Sequence, residues 1–203
     1  MKYVENLIDR YPHLSECKGA LEKAIDAVVT MHKAGGTLLV CGNGGSAADS
    51  EHISGELLKG FLSLRPLSDK EKGGLPPEIA DRLQGGIKAI PLSSLTSVFT
   101  AFANDVSPEL AFAQLVWAFG EANGVFLGIS TSGNAKNVCA AAETAKAKGM
   151  TTIAMTGQSG GRLAQLCDIA IKTPEAETYK IQELHLPLYH ALCAEAEAQI
   201  FGG

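Results

Sequence analysis

Five short apolar runs, each bounded by glycine or polar residues, constrain the fold of this chain more than any other feature of its sequence. They cover residues 37–41, 87–92, 125–130, 151–156 and 169–172. Short runs without polar alternation are typical of strands that are buried on both faces. Stretches rich in Ala, Leu, Glu and Lys lie between them, at residues 46–59, 108–118, 134–148 and 161–166. This alternation predicts an α/β fold in which helices cover both faces of a parallel sheet.

The two ends of the chain predict long helices. Residues 1–34 are expected to form N-terminal helices, with a long one over residues 14–33, and residues 178–201 a C-terminal helix. Both long helices are apolar on more than a narrow stripe, so a monomer would leave apolar surface uncovered. We therefore expect a homo-oligomer that packs through them. The length of 203 residues suits one domain with a full core, and we predict a single domain over residues 1–203.

Residues 61–86 interrupt the alternation of strands and helices. This excursion contains the charged run 69–72, Gly73-Gly74 and Pro76-Pro77, and we predict a short helix near residues 76–83. Long connections of this kind are either solvated loops or functional lids and interfaces. The sequence leaves both alternatives open.

Charge and cysteine content exclude several classes of protein. The net charge is -5 and the basic residues are scattered, so the chain offers no broad positive surface for nucleic acid. The five cysteines are odd in number and never in a CxxC spacing, which predicts reduced thiols rather than a disulfide framework. No apolar run is long enough to span a bilayer, and the first residues lack the apolar core of a signal peptide. We expect a soluble cytoplasmic protein that binds neither nucleic acid nor membranes.

Two strand-to-helix turns carry the residues of an anion site. Gly42-Asn43-Gly44-Gly45-Ser46 follows the first strand, and its glycines allow successive amides to face one anion. Alone, this turn is equally well explained as a tight connection with a Ser cap. Ser130-Thr131-Ser132-Gly133-Asn134 follows the third strand and adds three hydroxyls at the start of another helix. Because ligands bind beyond the carboxyl ends of parallel strands, the two turns together predict a site for a phosphorylated small molecule.

Two helices carry residues suited to metal binding and proton transfer. His52 and Glu56 are four residues apart and share a helix face, although such a pair is more often a surface pair than a metal site. Gln182 and His190 could complete a site, but eight residues of straight helix separate them by about 12 Å. Pro187 lies between them and favours a bend. A ligand from another subunit is the alternative.

Two further polar features have competing explanations. Asn104-Asp105 follows the apolar stretch 98–102 and could bind sugar hydroxyls. An Asx turn that caps a helix starting near Pro108 explains the same residues at least as well. His185 lies on the apolar C-terminal helix, and we interpret it as a satisfied core histidine rather than a ligand.

Taken together, these motifs resemble the sugar isomerase (SIS) domain family and, within it, the phosphoheptose isomerases. The resemblance extends over almost the whole chain. It rests on GNGGS at residues 42–46 with His52 and Glu56, FANDVS at 102–107, GISTSGN at 128–134, and IQELH at 181–185 with His190. It implies a three-layer αβα sandwich with a five-stranded parallel sheet, flavodoxin-like or Rossmann-like in type. It also implies a homotetramer whose active sites are shared between subunits.

The resemblance further implies an aldose–ketose isomerase of bacterial heptose biosynthesis, which converts D-sedoheptulose 7-phosphate to D-glycero-D-manno-heptose 7-phosphate through an enediol. One Zn²⁺ ion per active site would be held by His52, Glu56, Gln182 and His190. Glu56 would move the carbon-bound proton, and His190 would exchange protons with the oxygen. The implied contacts to the sugar phosphate are Asn43, Gly44, Gly45, Ser46, Glu56, Asn104, Asp105, Ser130, Thr131, Ser132 and Gln182.

Four features depart from the family pattern and put the exact substrate in question. Ala135 stands where another Ser is common, and Tyr179 where the better-known members usually carry Asp. The excursion is longer than the family leads us to expect, and Pro187 interrupts a helix. An isomerase for another sugar phosphate is therefore one alternative.

A non-catalytic SIS module is the other alternative. It could be an adaptor that associates with the replication initiator protein, or a sugar-phosphate sensor. An adaptor has no need for a complete set of metal ligands and acid/base groups. The joint presence of His52, Glu56, Gln182 and His190 therefore favours an enzyme.

Overall fold

The computed structural model describes residues 1–202, and its five strands form one parallel sheet. The strands are β1 (Leu38–Gly42), β2 (Ala89–Pro91), β3 (Val125–Ile129), β4 (Thr151–Thr156) and β5 (Ile169–Lys172). β2, β3, β4 and β5 lie within predicted apolar runs, and β1 extends one residue beyond its run. Their order across the sheet is β2-β1-β3-β4-β5, which is the flavodoxin-like order. The predicted α/β fold with a five-stranded parallel sheet is therefore confirmed.

The described residues also form ten α-helices. These are α1 (Lys2–Arg10), α2 (Lys18–Lys33), α3 (Gly45–Leu58), α4 (Asp69–Lys72), α5 (Pro77–Ala80), α6 (Thr96–Asp105), α7 (Ala111–Phe119), α8 (Lys136–Ala147), α9 (Gly161–Leu166) and α10 (Thr178–Phe201). The predicted helical stretches are confirmed with shifted ends. The helix α6 was not predicted. Among residues 1–202, no helix combines the length and apolar character needed to cross a membrane.

Side chains of each strand alternate between two hydrophobic cores, one on each face of the sheet. Leu38 and Val40 of β1 belong to the core that includes residues of α2, α3 and α10. Leu39 and Cys41 belong to the core that includes residues of α7, α8 and α9. All five residues of β1 are buried. The helices therefore cover both faces, as expected for strands without polar alternation.

The long terminal helices pack on each other within one chain. α10 contacts α1, α2 and α3, and twelve of its residues are buried, including Leu188 and Leu192. The apolar side of α2, with Leu21 and Ile25, is likewise buried. Their apolar surface thus does not require a second subunit. The homo-oligomer stays a prediction, but this argument for it no longer holds.

The excursion forms a compact connection with two short helices, α4 and α5. Pro66 and Gln84 pair in an isolated antiparallel bridge, which brings its two ends together. Ser68 and Glu71 form a capping box at the start of α4. The short helix predicted near residues 76–83 is confirmed in α5.

The strand order places two turns side by side at the carboxyl ends of β1 and β3. Gly42 at the end of β1 pairs with Ile129 at the end of β3, so the segments that follow these strands start as neighbours. The chain order reverses between β1 and β3, and such a switch point opens a crevice at the carboxyl ends of the strands.

Candidate active site

The turn after β1 depends on its glycines. A Cβ on Gly42 would lie 2.6 Å from Ser46 Cβ, and one on Gly45 would lie 2.5 Å from Gln182 Nε2. Gly44, with φ 57° and ψ -122°, is the N-cap of α3, a backbone conformation that favours glycine. This N-cap makes no side-chain hydrogen bond, and α3 begins before Ser46. The alternative of a Ser cap is therefore wrong.

The turn after β3 is held by backbone hydrogen bonds. The amide of Ser130 donates to Met155 O at 3.0 Å, and the amide of Gly133 donates to Ser130 O at 2.9 Å. Ser132 Oγ accepts from the amide of Asn134 at 3.1 Å. Gly133 has φ 67°, and a Cβ there would lie only 2.0 Å from Gly160 O. The close approach of these segments explains why this position needs glycine.

A pocket of about 340 Å³ lies between the two turns. Eight of the predicted substrate contacts line it: Asn43, Gly44, Gly45, Ser46, Ser130, Thr131, Ser132 and Gln182. Ile129, Ala135 and Thr178 complete the lining, which includes no Lys or Arg among the described residues. An anion in this pocket would therefore meet amides and hydroxyls rather than a charged side chain. A groove of about 380 Å³ elsewhere, lined by Lys23 and Asp26 among others, contains none of the predicted residues.

Two asparagines link the turn after β1 to the start of α8. Asn43 Nδ2 donates to Asn137 Oδ1, and Asn137 Nδ2 donates to Asn43 Oδ1, both at 2.9 Å. Asn137 Oδ1 also accepts from the amide of Val138 in the first turn of α8. The side-chain amide of Asn43, predicted as a substrate contact, is thus hydrogen-bonded to the first turn of α8 in this structure.

A second group of predicted residues meets where α3 crosses α10. His52 Nε2 lies 3.1 Å from Glu56 Oε1 and 3.5 Å from His190 Nε2. Lys59 Nζ donates to the other carboxylate oxygen of Glu56 at 2.9 Å. The structure therefore brings together three of the four predicted metal ligands and both predicted acid/base residues.

The protonation of this group suits proton transfer near neutral pH. Burial would raise the pKa of Glu56, but the Lys59 ammonium beside it holds this pKa below its usual value. Burial, and next the neighbouring His52, lower the pKa of His190. At neutral pH the carboxylate is therefore available as a base and the His190 imidazole is neutral.

The donor set fits a zinc ion in part. Two ligands on one tetrahedral zinc, each at about 2.0–2.1 Å, lie about 3.3 Å apart, and the two separations at His52 Nε2 are close to this value. Imidazole nitrogen and carboxylate oxygen are ordinary zinc ligands. Among residues 1–202, however, no three His, Cys, Asp or Glu side chains already form a complete cluster. The residues fit a zinc ion in kind and in two separations, and a complete shell needs a further ligand.

Gln182 and Asn104-Asp105 lie apart from that group. The Gln182 side chain rests against Gly45 in the pocket between the turns. Asn104 and Asp105 are exposed in the last turn of α6, where Asn104 Nδ2 donates to Asp105 Oδ1 at 2.9 Å. They do not line the pocket. The alternative explanation, an Asx turn that caps the helix starting near Pro108, is wrong. Ser107 is the cap there, and its hydroxyl accepts from the amide of Glu109.

Sequence reasoning missed a buried ion pair that braces this region. Arg65 Nε donates to Glu197 Oε1 at 2.7 Å, and both side chains are almost completely buried. Glu197 also accepts from the amides of Phe61, Leu62 and Ser63. The Phe61 ring lies 5.6 Å from that of His190. Glu197 lies two helical turns beyond His190 and therefore on the same helix face. This spacing was the sequence signal that could have placed Glu197 near His190.

Comparison with known proteins places the chain in a family. Residues 97–194 and 2–72 match SIS domain models. A phosphoheptose isomerase from Burkholderia pseudomallei is 41% identical over 182 residues, which span 90% of this chain and 83% of that protein. The chain belongs to the phosphoheptose isomerase family. The family resemblance stated from the motifs is thereby confirmed.

Further members of the phosphoheptose isomerase family agree in sequence and structure. The enzyme from Aneurinibacillus thermoaerophilus is 37% identical over 181 residues, covering 89% of this chain and 82% of its own length. The structure of a phosphoheptose isomerase from Francisella tularensis superimposes with a TM-score of 0.78 at 30% identity, over 96% of this chain and 94% of that one. The family assignment therefore applies to nearly the whole chain.

Proposed function

We propose that the protein is a metal-dependent aldose–ketose isomerase that converts D-sedoheptulose 7-phosphate to D-glycero-D-manno-heptose 7-phosphate. The observation that carries this proposal is the meeting of Glu56, His52 and His190 where α3 crosses α10. Membership of the phosphoheptose isomerase family supports the substrate. An adaptor would have no use for this set of side chains.

The reaction needs one group for a carbon-bound proton and another for oxygen protons. A ketose becomes an aldose when a proton leaves C1 and a proton is returned to C2 through an enediol. Glu56, held ionised beside Lys59, is the proposed carbon base. His190, held neutral by burial, is the proposed partner for the oxygen. The enediol must stay bound between the two proton transfers. Glu56 and His190 must therefore both lie beside C1 and C2.

Zinc is the proposed cofactor, one ion per active site, with His52, Glu56, His190 and Gln182 as its ligands. A bound zinc ion would act as an electrophile that stabilises negative charge on the substrate oxygens. The chemistry of the donors and the two short separations at His52 Nε2 support His52, Glu56 and His190 as ligands, whereas Gln182 is proposed from the family resemblance alone.

The spacing along α3 supports a long sugar phosphate. Ser46 lines the pocket between the turns, and His52 lies six residues further along the same helix, about 9 Å away. An extended seven-carbon chain places its first carbon about 8 Å from the carbon that bears the phosphate, since carbon–carbon bonds are about 1.5 Å long. A phosphate between the turns would thus leave C1 and C2 near His52.

We further propose a homotetramer in which active sites are shared between subunits. Asn104 and Asp105, expected from the family resemblance to contact substrate, do not line the pocket of their own chain. A neighbouring subunit that supplies them would complete the site.

The five free cysteines suit a reducing compartment, and we propose the cytoplasm.

A substrate panel on the purified protein tests the reaction. Sedoheptulose 7-phosphate, a ketohexose phosphate and a ketopentose phosphate are compared before chelation, after chelation, and after zinc is restored. We expect turnover of the heptulose phosphate alone, lost on chelation and regained with zinc. Turnover of a shorter sugar instead would replace the proposed substrate, a possibility kept open by Ala135 and Tyr179. No turnover of any sugar would refute the enzyme.

Glu56→Gln tests the proposed base. The substitution keeps the size of the side chain but removes the basic carboxylate, and we expect isomerase turnover to fall about 10²- to 10⁴-fold. Glu51→Gln is the matched control, because Glu51 lies on the same helix and is exposed, with Ser94 Oγ donating to it. The control should keep full turnover. Full turnover in Glu56→Gln would exclude Glu56 as the base.

A further inference from the structure

A buried tyrosine hydroxyl lies between His52 and an acidic side chain. Tyr189 is 1% exposed, and its hydroxyl is 3.0 Å from His52 Nδ1 and 3.4 Å from Asp49 Oδ1. The other carboxylate oxygen of Asp49 is buried and has no hydrogen-bond partner among residues 1–202. Neither Tyr189 nor Asp49 belongs to the proposed ligand or acid/base set. They occupy the side of His52 that faces away from Glu56.

Hydrogen-bond counting at Asp49 favours one direction for this chain of contacts. The oxygens of a carboxylate accept hydrogen bonds, and a tyrosine hydroxyl has a single proton to donate. If Tyr189 donated to His52 Nδ1, neither oxygen of the Asp49 carboxylate would have a donor among residues 1–202, which is costly because Oδ2 is buried. The Tyr189 hydroxyl therefore donates to Asp49 Oδ1 and accepts from His52 Nδ1. The proton of a neutral His52 then lies on Nδ1.

We propose that Tyr189 is a positioning residue that holds His52 in its Nδ1–H tautomer and directs the lone pair of Nε2 toward Glu56 and His190. A metal-bound histidine needs this tautomer when Nε2 is the ligand, and the partner on its other nitrogen sets ring orientation and affinity. This inference rests on the proposed function in so far as His52 is a zinc ligand. The tautomer itself does not depend on the isomerase reaction.

The tautomer has a consequence for the neighbouring atoms. With its proton on Nδ1, His52 has no hydrogen to share with Glu56 Oε1, although the two atoms are only 3.1 Å apart. Two electron-rich atoms at this distance repel each other unless a cation lies against both. By holding the proton on Nδ1, Tyr189 thus leaves a lone pair on His52 Nε2 and one on Glu56 Oε1 available to bind a positive ion. The two side chains then form no hydrogen bond with each other.

The ring and the hydroxyl of Tyr189 can be separated by mutation. Its ring contacts His52 edge to face, with centroids 5.4 Å apart and planes at 74°. Tyr189→Phe keeps this aromatic contact and removes only the hydroxyl. Tyr11→Phe is the matched control, because Tyr11 lies at the end of α1 with its ring against His13, whereas Tyr189 is the tyrosine whose hydroxyl contacts His52 and Asp49. Thermal unfolding of both variants checks that the fold is kept.

The first measurement is nitrogen NMR of labelled histidines in the metal-free full-length protein, at mildly alkaline pH where histidines are neutral. Loss of a signal in His52→Gln assigns His52. We expect Nδ1–H in the wild type and in Tyr11→Phe, and a mixture of tautomers in Tyr189→Phe. In Asp49→Ala the hydroxyl is free to donate to Nδ1, so we expect a shift to Nε2–H. An Nε2–H wild type, or no change in Tyr189→Phe, would overturn the proposal.

The second measurement is zinc affinity by competition with a chromophoric chelator. We expect Tyr189→Phe to bind zinc about 10- to 100-fold more weakly than the wild type and than Tyr11→Phe. Affinity within about twofold of the wild type would contradict a positioning role toward the metal. If the wild type itself binds no zinc, the proposed metal function fails, while the NMR result still decides whether Tyr189 sets the tautomer.

Discussion

His185 is a buried histidine that the fold holds in its neutral form. It is completely buried in α10, as predicted. The Thr156 backbone lies close enough to act on its ring, but neither ring nitrogen makes a hydrogen bond of good geometry among residues 1–202, so the expectation of a satisfied histidine was wrong. Burial lowers the pKa of His185 to about 4. The unfolded chain, with a histidine pKa near 6.5, therefore binds a proton more readily than the folded chain.

Acidification should destabilise the protein through His185. The free energy of unfolding should fall by about 2–3 kcal/mol from this residue between pH 6.5 and 4, since the proton prefers the unfolded state over that range. Urea unfolding of the wild type and of His185→Gln across this range measures both free energies of unfolding. The wild-type value should fall steadily relative to the value of His185→Gln as the pH falls. His13→Gln, at an exposed histidine, is the control. Parallel curves for wild type and His185→Gln would refute the burial effect.

Residues of the site were predictable where the sequence marks them by spacing. His52 and Glu56 are four apart on one helix, and the structure brings His190 to them from α10. The contact between α3 and α10 was not predictable from spacing, because it depends on how both helices pack on the sheet. Tyr189 and Asn137 left no local signal, since each acts through a partner that is distant in sequence.

The Arg65–Glu197 pair ties the start of the excursion to α10. Burial would raise the pKa of Glu197, but the amides of Phe61 and Leu62 and the Arg65 guanidinium hold it below its usual value. Glu197→Gln would leave Arg65 buried without a counter-charge, and we expect a loss of about 3–5 kcal/mol in the free energy of unfolding. Urea unfolding at neutral pH measures it.

A neighbouring glutamate on the same helix provides the control for that prediction. Glu195 is buried and accepts from the amide of Tyr3, a bond that a glutamine oxygen can also accept. Glu195→Gln should therefore cost about 1 kcal/mol or less. Equal losses in the two variants would show that the ion pair contributes no specific stability.

Helix α8 begins without a side-chain cap. Ala135 is its N-cap and makes no side-chain hydrogen bond, whereas serine at such a position accepts from an amide of the first turn. We expect Ala135→Ser to raise the free energy of unfolding by about 1 kcal/mol and the melting temperature by about 2–4 °C. Calorimetry without substrate measures this change. Ala147→Ser, at the exposed last residue of α8, should bring no gain, and an equal gain there would contradict the capping explanation.

The elements could be predicted where one pattern dominates. Strands β1 and β3 are continuous apolar runs in which every residue is buried, a pattern typical of strands covered on both faces. Helix α6 was missed because its sequence, with Thr96, Val98 and Thr100, contains β-branched residues of weak helix propensity. No residue of α6 is buried, so the helix also lacks the apolar stripe that marks a packed helix.

The surface of the single chain indicates where subunits could meet. The terminal helices cover each other, so exposed apolar residues elsewhere are the better guide. Several lie in the excursion and along α6 and its end, including Leu64, Val98 and Val106. Val98, Val106 and Asp105 line one open groove. A subunit contact at this groove would place Asn104 and Asp105 beside another chain.

Mixing two inactive variants tests whether the site is shared between chains. Glu56→Gln lacks the proposed base and Asp105→Ala lacks the proposed substrate contact, so each alone should be nearly inactive. If each site takes Glu56 from one chain and Asp105 from its neighbour, co-expressed subunits that mix at random should regain about a quarter of wild-type activity. Light scattering should give a mass about four times the 21.2 kDa of one chain for each variant and for the mixture. A tetrameric mixture that stays inactive would show that Glu56 and Asp105 do not act together across a subunit boundary, and a monomeric mass would refute the tetramer.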